Sequence, residues 1–132
     1  AAELGVAAMA EESARLAAMR DRFESKLPDH GIVFGAAARR LPNTSNFALN
    51  GIVAETAVIA MDLEGVALSS GAACSSGKVR SSRVLAAMGV APDLAKAALR
   101  VSFGWASTQQ DADATLAALE TIGARRAMQG AA

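Results

Sequence analysis

The chain has 132 residues, of which 52% are hydrophobic and only 4% aromatic, and this length suits one domain with one modest core. Its 13 basic and 13 acidic residues cancel, which argues against a general nucleic-acid or membrane-surface binder. No apolar run is long enough to cross a membrane, so no membrane partner is expected. The single cysteine, Cys74, cannot form an intramolecular disulfide, and this favours a reducing, cytoplasmic setting.

Apolar residues recur with the spacing of an α-helix in three segments. These helices are predicted over residues 3–26, over 54–64 and from 112 onward. Their apolar faces consist of Leu16, Met19, Phe23 and Leu27, of Ala57, Val58 and Met61, and of Ala112, Leu116, Leu119 and Ile122. Thr108 and Asp111 resemble a capping box before the last helix. Between the second and third helices, Ser81 or Ser82 can cap a shorter helix that ends at Gly89.

Short strands are predicted at residues 32–34, 46–50, 66–68 and 99–103, and residues 42–45 are predicted to form a turn. In the last strand Leu99, Val101 and Phe103 alternate with polar residues, so Arg100 should point away from the core. Strands and helices interleave irregularly. The predicted fold class is therefore α+β, with a small, mostly antiparallel sheet and helices on one face.

The segment around Cys74 contains almost only small residues, Ser69 to Gly77. Such a segment has little to pack, so residues 69–80 are predicted to form a mobile loop with an accessible thiol. Lys78, Arg80 and Arg83 follow closely, and positive charge favours the thiolate that a nucleophile needs. The alternative is a plain Gly/Ser connection with an incidental cysteine.

A phosphate-binding loop competes for the same residues. Gly71 to Lys78 lies between a predicted strand and a predicted helix, as such loops do. However, five residues separate Gly71 from Gly77 instead of four, and Val79 stands where Ser or Thr would hold magnesium. This alternative is disfavoured.

Other polar and aromatic residues carry less information. Arg100 presents a planar fork that fits a carboxylate, although an arginine on the solvent face of a sheet needs no ligand. The pair Arg39–Arg40 is interpreted as solvated, and Trp105 as a packing residue. Asn43, Asn46 and Asn50 are assigned to turns and strand ends. No cluster around the lone His30 has ligand spacing, so no metal site is predicted.

Four motifs occur in a fixed order: residues 40–46 (RLPNTSN), 69–77 (SSGAACSSG), 84–89 (VLAAMG) and 99–104 (LRVSFG). Together they resemble the C-terminal part of the PLP-dependent cysteine desulfurases of the class V aminotransferase superfamily, over about residues 30–125. The serine-rich cysteine loop is similar to the long-loop subgroup of that family.

The resemblance implies a connecting helix at residues 1–28 and a small C-terminal domain at 29–126 like that of fold-type I PLP enzymes. Residues 127–132, at the chain end, are predicted to be a frayed tail. It further implies that Cys74 is the nucleophile and persulfide carrier, and that Arg100 binds the carboxylate of L-cysteine. The products are L-alanine and a persulfide, which a sulfur-acceptor or scaffold protein collects for iron–sulfur cluster assembly or related sulfur metabolism. The full-length enzyme is expected to be a homodimer.

In that family the residues that bind pyridoxal 5′-phosphate (PLP) lie in a large domain before this region. We therefore expect the chain alone to hold no PLP and to be inactive. Two alternatives stay open: a stand-alone persulfide-relay module that takes sulfur from another protein, and a structural domain with an inert thiol.

Overall fold

The computed structural model describes residues 2–28, 31–71 and 82–130. In chain order its elements are α1 (Ala2–Ser25), β1 (Ile32–Val33), β2 (Thr44–Ala48), α2 (Ala54–Leu63), β3 (Ser69–Ser70), α3 (Arg83–Ala87), α4 (Pro92–Lys96), β4 (Ala98–Ser102) and α5 (Gln109–Gly130). The strands form one antiparallel sheet in the order β1–β2–β4–β3. The predicted α+β class with a small antiparallel sheet is confirmed.

The main core lies between one face of the sheet and the three longest helices, α1, α2 and α5. Phe23 of α1 is fully buried, with its ring edge-on to Phe47 at 5.5 Å and to Phe103 at 5.7 Å between centroids. Such edge-to-face pairs add stability beyond the buried area. The apolar faces predicted for the three long helices all contribute to this core.

A second, smaller cluster lies on the opposite face of the sheet. Ala48 and Ala98 are paired across β2 and β4, one residue beyond Phe47 and Leu99, so they face the other side. The members of this cluster are Phe34, Ala48, Leu85, Ala95, Ala97 and Ala98. The short helices α3 and α4 therefore cover one end of this second face, and the rest of it is left to polar residues.

The helix ends follow the predicted signals. Gly65 and Gly89 adopt the left-handed conformation, with φ of 77° and 75°, directly after α2 and α3, where glycine avoids the strain of a Cβ. Ser82 caps α3 through its hydroxyl, which accepts from the Leu85 N–H at 3.3 Å. The capping box before α5 is also present: the Thr108 N–H donates to Asp111 Oδ2 at 2.7 Å, and this contact lowers the pKa of that carboxyl.

All four strands differ from their predicted bounds, β1 by one residue at one end, β4 by one residue at each end, and β2 and β3 by more. β2 begins at Thr44, so the predicted turn is wrong for residues 44–45, where pairing with Ser102 and Val101 extends the strand. β3 consists of Ser69 and Ser70, not of residues 66–68, because the Val66 N–H instead closes the end of α2 on the Met61 carbonyl at 2.9 Å. α5 runs to Gly130, past the predicted start of the tail. The fraying of residues 127–132 and the domain boundaries stay predictions.

Candidate active site

A row of polar residues crosses the second face of the sheet. Arg100 of β4 is the Cα partner of Asn46 in β2 and of Ser69 in β3. The side chain of Arg100 is exposed, as its alternation with buried neighbours predicted. No residue within the described ranges hydrogen-bonds or ion-pairs with the guanidinium. The five N–H donors of the Arg100 guanidinium are therefore available to a ligand that binds to this face of the sheet.

The segment that leads to Cys74 begins beside Arg100. Ser69 and Ser70 pair with Arg100 and Leu99, and the Gly71 N–H donates to the Ala98 carbonyl at 2.6 Å. A Cβ on Gly71 would lie 2.6 Å from the Cβ of Ala98. This close approach requires glycine at position 71. The hydrogen bond of Gly71 ties the start of the segment to β4.

The far end of the segment is also tied to the fold. Leu85 is 1% exposed in the second cluster, and Ser82 caps the helix that carries it. Arg83 is exposed on the same helix. Cys74, together with Lys78, Arg80 and Ser81, lies outside the described residues, and so does His30. The predicted mobility of residues 69–80 stays a prediction beyond Gly71.

An ion pair between a carboxylate and a guanidinium joins α1 to the segment before β2. Arg40 donates to the two carboxylate oxygens of Glu24 at 2.6 and 2.9 Å, and the side chains are only 18% and 12% exposed. Burial raises the pKa of Glu24, but the hydrogen bonds from Arg40, the hydroxyl of Ser45 and the positive charges of Arg40 and Arg20 together outweigh it, so the pKa lies below its ordinary value. The interpretation of Arg39–Arg40 as a solvated pair is therefore wrong for Arg40, which joins α1 to the segment before β2.

Trp105 is exposed instead of packed. It follows β4 and is 86% exposed. Arg15 of α1 donates to the backbone carbonyls of Gly104, Trp105 and Ser107 at 3.3, 3.2 and 2.9 Å. These hydrogen bonds tie the backbone of residues 104–107 to α1, and the indole of Trp105 stays exposed to solvent. The prediction that Trp105 is a packing residue is therefore wrong. Arg15 and Trp105 are 90 residues apart in sequence, so no local sequence pattern could predict this contact.

The described lysines do not fit a PLP site. Lys26 and Lys96 are 49% and 60% exposed, and each lies within 3.8 Å of an aspartate, Asp113 or Asp93. A Schiff-base lysine is buried in its site, whereas both of these side chains are exposed and lie beside a carboxylate. Within residues 2–28, 31–71 and 82–130, no three His, Cys, Asp or Glu side chains come together as metal ligands would.

Asn46 is the residue of this face that sequence reasoning missed. It was assigned to a turn or strand end, yet it lies in the middle of β2, opposite Arg100. Asn43 does serve a strand end, because its amide donates to the Phe103 carbonyl at 3.2 Å. The alternation of Asn46 with buried Ser45 and Phe47 was the available signal, but it could not show which strand is the neighbour.

Known proteins resemble the chain in sequence. The profile of the family described as Aminotransferase class-V matches residues 1–115. The protein named cysteine desulfurase IscS of Dictyoglomus turgidum is 37% identical over 126 residues, which cover 92% of this chain and 32% of the relative. The cysteine desulfurase of Gluconacetobacter diazotrophicus is 41% identical over 119 residues, covering 88% and 30%.

Solved structures agree in fold. A NifS-like protein from Rickettsia africae matches with a TM-score of 0.70 and 27% identity, covering 85% of this chain and 29% of that one. The chain therefore spans about a third of the length of the curated relatives it matches. None of the helices in the described ranges is both long enough and apolar enough to span a membrane.

Proposed function

We propose that this chain, which belongs to the aminotransferase class-V family, is the small domain of a PLP-dependent cysteine desulfurase. The complete enzyme would convert L-cysteine to L-alanine and leave the sulfur as a persulfide on Cys74. A sulfur-acceptor or scaffold protein would then take the sulfur for iron–sulfur cluster assembly or related sulfur metabolism. Relatives named cysteine desulfurase support this assignment.

One observation carries the proposal: the segment that leads to Cys74 leaves the sheet beside Arg100. Ser69 is the Cα partner of Arg100, and Gly71 is bonded to the next strand. The three residues from Gly71 to Cys74 can span at most about 10 Å. This chain length lets the thiol work close to a guanidinium that no described residue pairs, as a nucleophile and a substrate anchor must.

Arg100 is suited to hold the α-carboxylate of L-cysteine. A guanidinium can give two parallel hydrogen bonds to one carboxylate, which fixes the orientation of the bound molecule as well as its position. The described part of the chain offers this guanidinium no competing carboxylate. Substrate binding would therefore not require an existing ion pair to break.

Cys74 would act as the sulfur acceptor. Its thiolate attacks the sulfur of the substrate, so a sulfur–sulfur bond forms and the bond from that sulfur to Cβ breaks. A proton takes the place of sulfur on Cβ, and the products are L-alanine and the Cys74 persulfide.

The test uses the complete polypeptide that carries this chain, with PLP and L-cysteine. We expect L-alanine to form and one sulfur atom to be added to the peptide that contains Cys74, detected by mass spectrometry after alkylation. Cys74→Ala should abolish persulfide formation, and Ser75→Ala is the matched control that should retain it. Sulfur transfer at the normal rate in Cys74→Ala would reject the assignment.

A persulfide-relay module is the second candidate, because the described lysines do not form a PLP site. The two candidates differ in alanine release: a desulfurase releases alanine from L-cysteine, whereas a relay gains sulfur only from another persulfide protein.

We also propose that the complete enzyme is a cytoplasmic homodimer. Sedimentation of the complete polypeptide would test the dimer, with a single monomeric species as the contrary result.

A further inference from the structure

Asn46 occupies a special position on the polar face of the sheet. It lies in the middle of β2, and its Cα partner in β4 is Arg100. Directly paired residues on one face of an antiparallel sheet have Cβ atoms about 5 Å apart. The amide of Asn46 and the guanidinium of Arg100 are therefore within reach of each other.

The side-chain oxygen of Asn46 is a buried acceptor that has no hydrogen-bond partner among the residues the structure describes. Buried polar atoms in folded proteins are nearly always paired, since an unpaired one has lost its water and gained nothing. This oxygen can accept a hydrogen bond from any donor that reaches it when a ligand binds to this face. The neighbouring side chains show which donor is available.

Arg100 is the neighbouring residue whose N–H donors are unused within the described part of the chain. On the same face, the hydroxyls of Thr44 and Ser102 lie 3.3 Å apart and bond to each other. On the β1 side, the Phe34 N–H donates to the backbone carbonyl of Asn46 at 2.8 Å, not to its side chain. The guanidinium of Arg100 has five N–H groups, and none of them bonds to a described residue.

We propose that Asn46 is a positioning residue for Arg100. When a substrate carboxylate takes two N–H groups of the guanidinium, a third donates to Asn46 Oδ1 and holds the plane of the fork in place. A neutral amide suits this task, because a carboxylate at the same position would pair with Arg100 and compete with the substrate. This inference rests on the proposed function, in which Arg100 binds the carboxylate of L-cysteine.

A double-mutant cycle in the complete polypeptide tests the contact through the kinetics. Asn46→Ala should raise KM for L-cysteine about three- to tenfold, with kcat little changed, since one hydrogen bond of ordinary net strength is lost while Arg100 keeps its two bonds to the carboxylate. In the Arg100→Ala background the same substitution should add nothing. Ser102→Ala, on the same face, is the matched control and should leave KM unchanged. Effects of Asn46→Ala and Arg100→Ala that multiply would overturn the proposal.

A second measurement does not depend on turnover. The polypeptide labelled with ¹⁵N-arginine is titrated with L-alanine as the carboxylate probe, and the exchange of the Arg100 guanidinium protons is followed by NMR. We expect slow exchange in the wild type and in Ser102→Ala, and faster exchange in Asn46→Ala. Equal exchange in all three proteins would reject the contact even if the desulfurase activity is found. An Asn46-dependent signal without alanine release from L-cysteine would support the contact and reject the proposed function.

Discussion

The two faces of the β2–β4 pair differ sharply, although alternate residues of the same two strands build both. One face carries Phe47, Leu99 and Val101, which are at most 5% exposed. The other carries Asn46, whose side chain is partly accessible, and Arg100, which is exposed. Because successive strand residues point to opposite faces, one short segment can hold the fold and serve a site at once. Substitutions on the two faces should therefore have separable effects.

The largest expected effect is on the core face. Phe47→Ala should lower the free energy of unfolding by about 3–5 kcal/mol, since the ring is fully buried and the helices cannot collapse into the space it leaves. Urea unfolding followed by circular dichroism measures the change. Arg100→Ala, on the opposite face, should stay within about 0.5 kcal/mol of the wild type. Comparable losses in both variants would contradict the division between the faces.

On the polar face the effect should appear in substrate binding. Arg100→Ala in the complete polypeptide should raise KM for L-cysteine tens-fold to about a hundredfold, because a charged bidentate contact is lost. Arg100→Lys keeps the positive charge but loses the planar guanidinium, so its KM should lie between those of the wild type and Arg100→Ala. Steady-state kinetics with alanine detection measures both variants. An unchanged KM would make Arg100 a solvent-facing residue of the sheet.

At the edge of the sheet, Gly71→Ala tests the close approach of β3 to β4. The new Cβ would meet the Ala98 Cβ at 2.6 Å and its carbonyl oxygen at 3.3 Å, so we expect a loss of about 1–3 kcal/mol in unfolding free energy. Gly104→Ala is the matched control, since nothing lies within 4 Å of its Cβ position. Adding Ala98→Gly should restore part of the loss. Equal stability of Gly71→Ala and Gly104→Ala would show that β3 is not held this closely.

The smallest expected effect concerns the pair Glu24–Arg40 beside the core face. Glu24→Gln should cost about 1–2 kcal/mol near neutral pH, because Arg40 is left partly buried without its carboxylate. The pKa of Glu24 is lowered in the fold from its ordinary value of 4.5, so its contribution is complete above that value. It is lost as the pH falls through the lower, folded pKa.

Urea unfolding at a series of pH values checks this sign. The difference between wild type and Glu24→Gln should shrink toward zero in acid. The exposed pair Glu12–Arg15, with side chains 36% and 40% accessible, serves as the control, and Glu12→Gln should change stability less at every pH. A difference that grows as the pH falls would contradict the assignment of Glu24 as a paired carboxylate.

Local patterns predicted the helices well because their physical cause is local. The spacing of Leu16, Met19 and Phe23 follows the helical repeat, and all three residues are buried. The glycines after α2 and α3 end those helices through backbone conformations that only their own position requires. Strand boundaries were less accurate, because a strand such as Ser69–Ser70 exists through its partner and has little β preference of its own.

What the sequence alone determined about this protein is the outward direction of Arg100 and the order of motifs that points to the class-V aminotransferase family; the persulfide role of Cys74 stays a prediction. Alternation and motif order are properties of the chain itself. Only the tertiary structure decided that Asn46 and Ser69 flank Arg100, that Arg40 pairs with Glu24, and that Trp105 is exposed. Those outcomes depend on which strands and helices meet, and residues far apart in sequence have no local pattern that specifies their register.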